Sequence, residues 1–197
     1  MKRFLLFSIA IFLLAGAADA QLFGRRNRSV EAEYAVGNVP VVNGKVTFEE
    51  RIPAEGLTAD EIVAKTRLWV AERYVEPTVI SVKHYSNESS DSVIIKGEEY
   101  ITFKNTFFVL SRARMYYFLT ITAEDGICRF NLSRITYWYD DEDEKGGIRM
   151  KAEEWITDDN AFKDNGSLKR FEGKFRRKTI DLKNQLVEEL AAYLNNN

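Results

Sequence analysis

Leu119-Thr120-Ile121-Thr122-Ala123-Glu124-Asp125-Gly126-Ile127-Cys128-Arg129-Phe130-Asn131-Leu132 is the stretch that decides the fold. Apolar and polar residues alternate on both sides of Asp125-Gly126, the period of a half-buried strand. Asp-Gly is a preferred pair for a two-residue type I′ turn, whose twist matches that of two antiparallel strands. The spacing predicts a hairpin with one strand over about 113–123 and the other over about 127–138. In that register Ile121 pairs with Phe130, Leu119 with Leu132 and Ala123 with Cys128, and this side faces the core. The other side carries Tyr116, Phe118, Thr120, Thr122, Arg129, Asn131 and Ser133.

Upstream, residues 79–85 and 93–104 read as two further strands, the second kinked or bulged at Gly97. The polar stretch 86–92 lies between them as a tip. Residues 45–52 alternate as a first strand. Thr58 and Glu61 form a capping box, with Leu57 and Ile62 at the two positions of a hydrophobic staple. Ile62, Thr66, Trp69 and Val70 then recur on one face of a helix that ends before Pro77. Downstream, 140–147 is an acidic, glycine-ended loop. Residues 148–168 are irregular but contain Trp155, Ile156 and Phe162, which need apolar cover. They are expected to shield part of the open sheet face around Tyr116 and Phe118. A last helix over about 173–194 carries the stripe Phe175, Thr179, Leu182, Leu186, Leu190 and Tyr193. The order β-α-β-β-β-β-α predicts an α+β, two-layer domain: a five-stranded antiparallel sheet with two helices on one face.

The chain opens with Lys2 and Arg3, an apolar run over 4–14, and Ala18-Asp19-Ala20 before Gln21. This is the pattern of a secretory signal peptide over 1–20, cleaved between Ala20 and Gln21. A flexible tether over 21–38 and a single domain over 39–197 are expected to follow, exported to the periplasm or the cell exterior. No later stretch is apolar enough to span a bilayer. The net charge is -2 from 28 Lys+Arg and 30 Asp+Glu. Loss of Lys2, Arg3 and Asp19 takes it to -3, which gives no general pull toward nucleic acid. Cys128 is the single cysteine, so no intramolecular disulfide forms.

Val39-Pro40-Val41-Val42-Asn43-Gly44-Lys45-Val46-Thr47-Phe48 resembles the opening of a family of secreted Bacteroidetes proteins, domain of unknown function 4468. The Thr58-x-x-Glu61-Ile62 signal leading to Trp69, the Asp125-Gly126 hairpin and Ala152-Glu153-Glu154-Trp155-Ile156 are similar to its pattern as well. The resemblance covers roughly 39–160 and implies a fold like that of the TATA-binding protein (TBP). It implies no catalytic residue, and a fold shared with a DNA-binding protein does not bring DNA binding with it.

The candidate chemistry is sparse. His84 is the only histidine, shares strand parity with Ile80 and Val82, and reads as structural. Cys128, on the side of Phe130, reads as a buried and inert thiol. The acidic run 140–144 fits a calcium loop poorly: Lys145 takes a ligand position and Ala152 stands where the bidentate glutamate belongs. The adjacent Glu153 and Glu154 cannot flank a sugar from two sides. No metal and no cofactor is expected. Lys174, Arg176, Arg177 and Lys178 form a basic cluster early in the last helix. They are a candidate polyanion patch, or else they meet the acidic run within the fold or are simply solvated. Asp91-Ser92-Val93 matches a short O-glycosylation acceptor pattern at Ser92. The expected binding surface is the open sheet face with Tyr116, Phe118, Arg129 and Asn131, where aromatic and polar groups suit a glycan or a protein. The expected function is that of a non-catalytic binding or assembly module of the bacterial cell envelope. Its partner would be an unidentified envelope component and not nucleic acid. The alternative is a carboxylate-based hydrolase acting on envelope or extracellular glycans through residues in 140–164.

Overall fold

Asp125-Gly126 closes the central hairpin with Gly126 at φ 76°. The register around it is the predicted one, with Ile121 opposite Phe130, Leu119 opposite Leu132 and Ala123 opposite Cys128. This computed structural model describes residues 30–75, 79–86, 91–106, 109–140 and 146–196. The expected signal peptide, the Ala20–Gln21 junction, tether residues 21–29, Pro77 and acidic residues 141–144 lie outside them.

The described elements run β1 (Val41–Val42), β2 (Lys45–Pro53), α1 (Ala59–Arg73), β3 (Val79–His84), β4 (Ser92–Thr106), β5 (Val109–Glu124), β6 (Ile127–Tyr139), β7 (Ile148–Lys151), α2 (Ala152–Trp155), α3 (Asp158–Ala161) and α4 (Glu172–Asn195). All strands join one antiparallel sheet in the order β1-β2-β6-β5-β4-β3, with β7 also paired to β6. The sheet therefore has seven strands among the described residues, not the expected five. The two additions are too short to show alternation. β1 folds back through Asn43 and Gly44, at φ 51° and 73°, an Asn-Gly turn of the type I′ kind. β7 continues along β6 where β2 stops: β2 reaches Ser133 through Thr47, and β7 takes over at Thr136 through Lys151.

α1 and α4 cover one face. Thr58 caps α1 through a complete capping box with Glu61. The hairpin tip adds a second cap that spacing alone does not reveal: Asp125 Oδ1 accepts from Ala59 N at 2.9 Å, and Gly126 N donates to Leu57 O at 2.8 Å. The turn that fixes the sheet register thus also seats the first helix. Ile62, Thr66, Trp69 and Val70 are buried beneath α1, and Phe175, Thr179, Leu182, Leu186 and Leu190 beneath α4, while Tyr193 is half-buried.

Three local expectations are corrected. Trp155, Ile156 and Phe162 do not cover the open sheet face. The first four of residues 148–168 become β7, and the rest turns to the helix side, where Ile156 is fully buried and Trp155 packs on Phe171 and Phe175 at 5.4 and 5.9 Å between ring centroids. The segment thereby finds its apolar cover inside the main core. The expected tether is packed from Val30 onward: Ala32–Tyr34 forms a 3-10 turn whose Tyr34 is buried, its hydroxyl donating to Asp181 at 2.7 Å. Gly97 is not a bulge in the β4–β5 ladder, where it stands in register with Tyr117. A Cβ at Gly97 would lie 2.5 Å from Tyr117 Cζ, so glycine is needed for close approach.

Tyr117 cannot easily yield that space. It is fully buried, and its hydroxyl contacts Glu99 and donates to the Tyr74 hydroxyl at 2.9 Å. Gly97→Ala is expected to destabilise the protein by about 1–3 kcal/mol, the usual effect of overpacking. Urea unfolding of parent and variant measures it, and equal midpoints would place the Tyr117 ring elsewhere.

Candidate functional site

The sheet face opposite the helices is built by alternation, so each strand sends every second side chain there. A β-bulge in β6 resets this alternation. Tyr116 pairs with Thr136 but Phe118 with Ser133, and Arg134 takes up the extra residue at φ 54°. Leu132 points inward before the bulge and Ile135 and Tyr137 after it. The bulge also turns Arg134 out, where its guanidinium lies 5.1 Å from the Phe118 ring centroid.

The four residues expected to bind fall into two neighbouring concavities on this face. Arg129 and Asn131 join Glu49, Arg51, Thr120 and Thr122 around a polar groove of ≈ 650 Å³. Its charges are largely matched: Arg129 meets Glu124 at 2.7 Å, and Asn131 Nδ2 donates to Glu49 at 3.1 Å. Tyr116 and Phe118 instead join Lys96, Arg134, Thr136 and Arg149 around a second hollow of ≈ 300 Å³. Here cations lie over rings. Lys96 Nζ is 5.6 Å from the Tyr116 centroid, and Arg149 Cζ is 4.0 Å from that of Trp138. Tyr85 leans on Phe118 at 5.3 Å, with Lys83 over Tyr85 in turn. Burial, then a hydrogen bond to Glu98, raises the Tyr116 pKa, so this phenol stays neutral.

Sequence reasoning did not include Lys96, Arg134 and Arg149 in the surface. Lys96 reaches it through the β4–β5 register, which sets it opposite Phe118; Arg134 through the bulge; and Arg149 through a four-residue strand. Ser92 opens β4 opposite Thr122 on the same side and is half-buried.

The basic cluster of α4 does not form one patch. Arg176 is the largest fully buried side chain among the described residues. It donates to Tyr34 O at 2.9 Å, Ile156 O at 2.7 Å and Ala35 O at 2.5 Å, and pairs with Asp158 at 2.9 Å. Burial lowers its pKa and Asp158 opposes the shift. Arg176 is therefore an internal clamp on the segment at 34–35. Of the remaining three, Lys178 pairs with Asp181, Arg177 stacks on Tyr34, and Lys174 is exposed.

Three of the carboxylates in the region proposed for hydrolysis hold bonds within the fold. Glu153 Oε1 accepts from Val46 N at 3.0 Å, and Glu154 meets Lys151 at 3.1 Å. Asp158 Oδ2 accepts from Gly37 N at 2.8 Å, while its Oδ1 makes an ion contact with Arg176 without a directed hydrogen bond. Cys128 is buried, and burial pushes its thiol up to about 12. His84 stands opposite Ile95 and is exposed, because β3 is the sheet's edge strand. Among the described residues no group of three or more His, Cys, Asp or Glu side chains is placed to hold a metal. None of their helices is long and apolar enough to cross a membrane, which says nothing of β-barrels.

The family described as "Domain of unknown function (DUF4468) with TBP-like fold" matches residues 48–138. A crystal structure of a DUF4468 family protein from Bacteroides ovatus is 31% identical, with a TM-score of 0.74, over 84% of this chain and 95% of that one. This chain belongs to the DUF4468 family. A TBP-like protein from Parabacteroides distasonis shares the fold at 21% identity and a TM-score of 0.65, over 80% of this chain and 97% of that one. No curated protein matches. The fold is thus the TBP-like one that the family resemblance implied, with the α+β arrangement that the hairpin and helix signals predicted, and no specific activity comes with it.

Proposed function

We propose that this DUF4468 protein is a non-catalytic binding module exported to the bacterial cell envelope, and that it binds through the sheet face opposite α1 and α4. Export rests on the basic, apolar and Ala-x-Ala pattern of residues 1–20. The observation that carries the binding role is that this face is left uncovered by the described residues. It opens two adjacent hollows lined by cations, the Glu49 and Glu50 carboxylates, aromatic rings, hydroxyls and an amide. Such a surface, fixed on central strands, offers preorganised contacts. The hydrolase alternative needs two free carboxylates across a cleft, whereas Glu153, Glu154 and Asp158 each hold a bond within the fold.

A panel of envelope and extracellular oligosaccharides, incubated with the folded protein and followed by mass spectrometry, tests this reading. The expected result is retention of ligand on the protein with every oligosaccharide intact. Turnover abolished by Glu153→Gln, with folding preserved, would overturn it.

A further inference from the structure

We infer that the hollow between Lys96, Arg134 and Arg149 is an anion subsite that seats the carboxylate or sulfate of an acidic glycan, whose chain continues into the polar groove beside it. This inference rests on the reading of the face as a binding surface and names the class of ligand.

The charge of the hollow is the first support. The whole chain is slightly acidic, with 28 Lys+Arg against 30 Asp+Glu, so composition alone does not place three cations in one concavity. All three are exposed, and none pairs with a carboxylate among the described residues. Glu98, which hydrogen-bonds Tyr116 at the edge of the hollow, is also engaged by Arg114 at 3.3 Å and accepts from Ser81 Oγ at 2.8 Å. The contrast with the neighbouring groove is direct, since Arg129 there already has Glu124. An oxyanion would supply the missing partner.

The aromatic rings are the second support. Tyr116, Phe118 and Trp138 each carry a cation near their face, at 5.6, 5.1 and 4.0–5.2 Å from the centroid. Stacking of this kind limits the rotamers of long flexible side chains, so less freedom is lost when an anion arrives. It also occupies the ring faces on which unpaired nucleic-acid bases would need to stack.

The third support is what the face lacks. β4, β5 and β6 have strand neighbours on both sides, so their backbone groups are consumed in the ladder. An acidic peptide would find no main-chain partners here, and a flat bilayer does not fill a concavity. Thr120 and Asn131 stand across from each other one pleat beyond Phe118 and Ser133, about 7 Å along the strand. Hydroxyl and amide groups at that distance match the hydroxyls of a following sugar.

Isothermal calorimetry of the folded protein with tetragalacturonate, a neutral cellotetraose of equal length and a single-stranded oligothymidylate tests the assignment. Tetragalacturonate is expected to bind, more weakly as salt rises, and cellotetraose to bind at least about tenfold more weakly. The triple variant Lys96→Gln/Arg134→Asn/Arg149→Gln should lose on the order of tenfold in affinity, the sum of three modest exposed ion contacts. Asn tolerates the positive φ at 134, and the three single variants, each checked by circular dichroism, serve if the triple variant does not fold. Equal binding of both tetrasaccharides, lost in Thr120→Val/Asn131→Ala but unchanged in the triple variant, would overturn the anion subsite and leave the binding face standing. Preferential binding of the oligothymidylate would overturn the glycan assignment. Absence of all binding would overturn both readings.

Discussion

Arg176→Ala is expected to destabilise the protein by roughly 3–5 kcal/mol, the range for removing one partner of a buried ion pair. The side chain is fully buried and satisfies the carbonyls of Tyr34, Ala35 and Ile156 while facing Asp158. Its loss leaves a buried carboxylate oxygen without a counter-charge and three carbonyls without their donor. The effect should be local as well as global, because the same contacts hold the segment at 34–35 against α4. Hydrogen exchange should therefore quicken at residues 34–38 before the sheet opens. Lys174→Ala, on the exposed side of the same helix, should change stability by no more than about 0.5 kcal/mol. Guanidinium melts of the two variants measure the split. Equal, small effects would mean that Arg176 reaches solvent after all.

Trp69→Ala should be comparably damaging, at about 3–5 kcal/mol. Trp69 is 3% exposed and meets the Tyr74 ring edge-on at 6.1 Å. Tyr74 in turn accepts from Tyr117, which contacts Glu99, and Glu99 pairs with Arg73 at 2.8 Å. The cavity would thus open beside a buried polar network whose tyrosine pKa values are all raised, first by burial. Thr58→Ala, which removes the cap of the same helix, should cost only about 1 kcal/mol. The Asp125 carboxylate still accepts from Ala59 N. Denaturant unfolding gives the ranking, and a silent Trp69→Ala would show that the helix turns another face to the sheet.

Short, chemically marked signals were legible in the sequence. Asp-Gly selects a turn whose loop length fixes register, so the pairs from Ala123–Cys128 to Phe118–Ser133 followed, up to the bulge at Arg134. Thr58 and Glu61 act within one helical turn, and no distant residue is needed to see them. Features set by tertiary contact were not legible. The bulge at Arg134 places a non-glycine residue at positive φ without a marking residue type. β7 is a strand only because β6 lacks a partner beyond the end of β2. Arg176 looks like any surface cation until three carbonyls and Asp158 are brought around it. Asn43-Gly44 did carry a hairpin signal, but the strand that leads into it is only two residues long. The candidate face was half legible for the same reason. Alternation from the hairpin gave Tyr116, Phe118, Arg129 and Asn131, while the cations between them came from three other structural contexts.

Chemical-shift mapping with tetragalacturonate tests the central claim most directly, because it reports where a ligand sits without perturbing the fold. The account predicts shifts of the Tyr116, Phe118 and Trp138 ring resonances and of the Arg134 and Arg149 guanidinium groups. Resonances beneath α1 and α4, such as those of Trp69 and Phe175, should stay in place. Shifts centred on the helices, with the sheet-face rings unmoved, would contradict it.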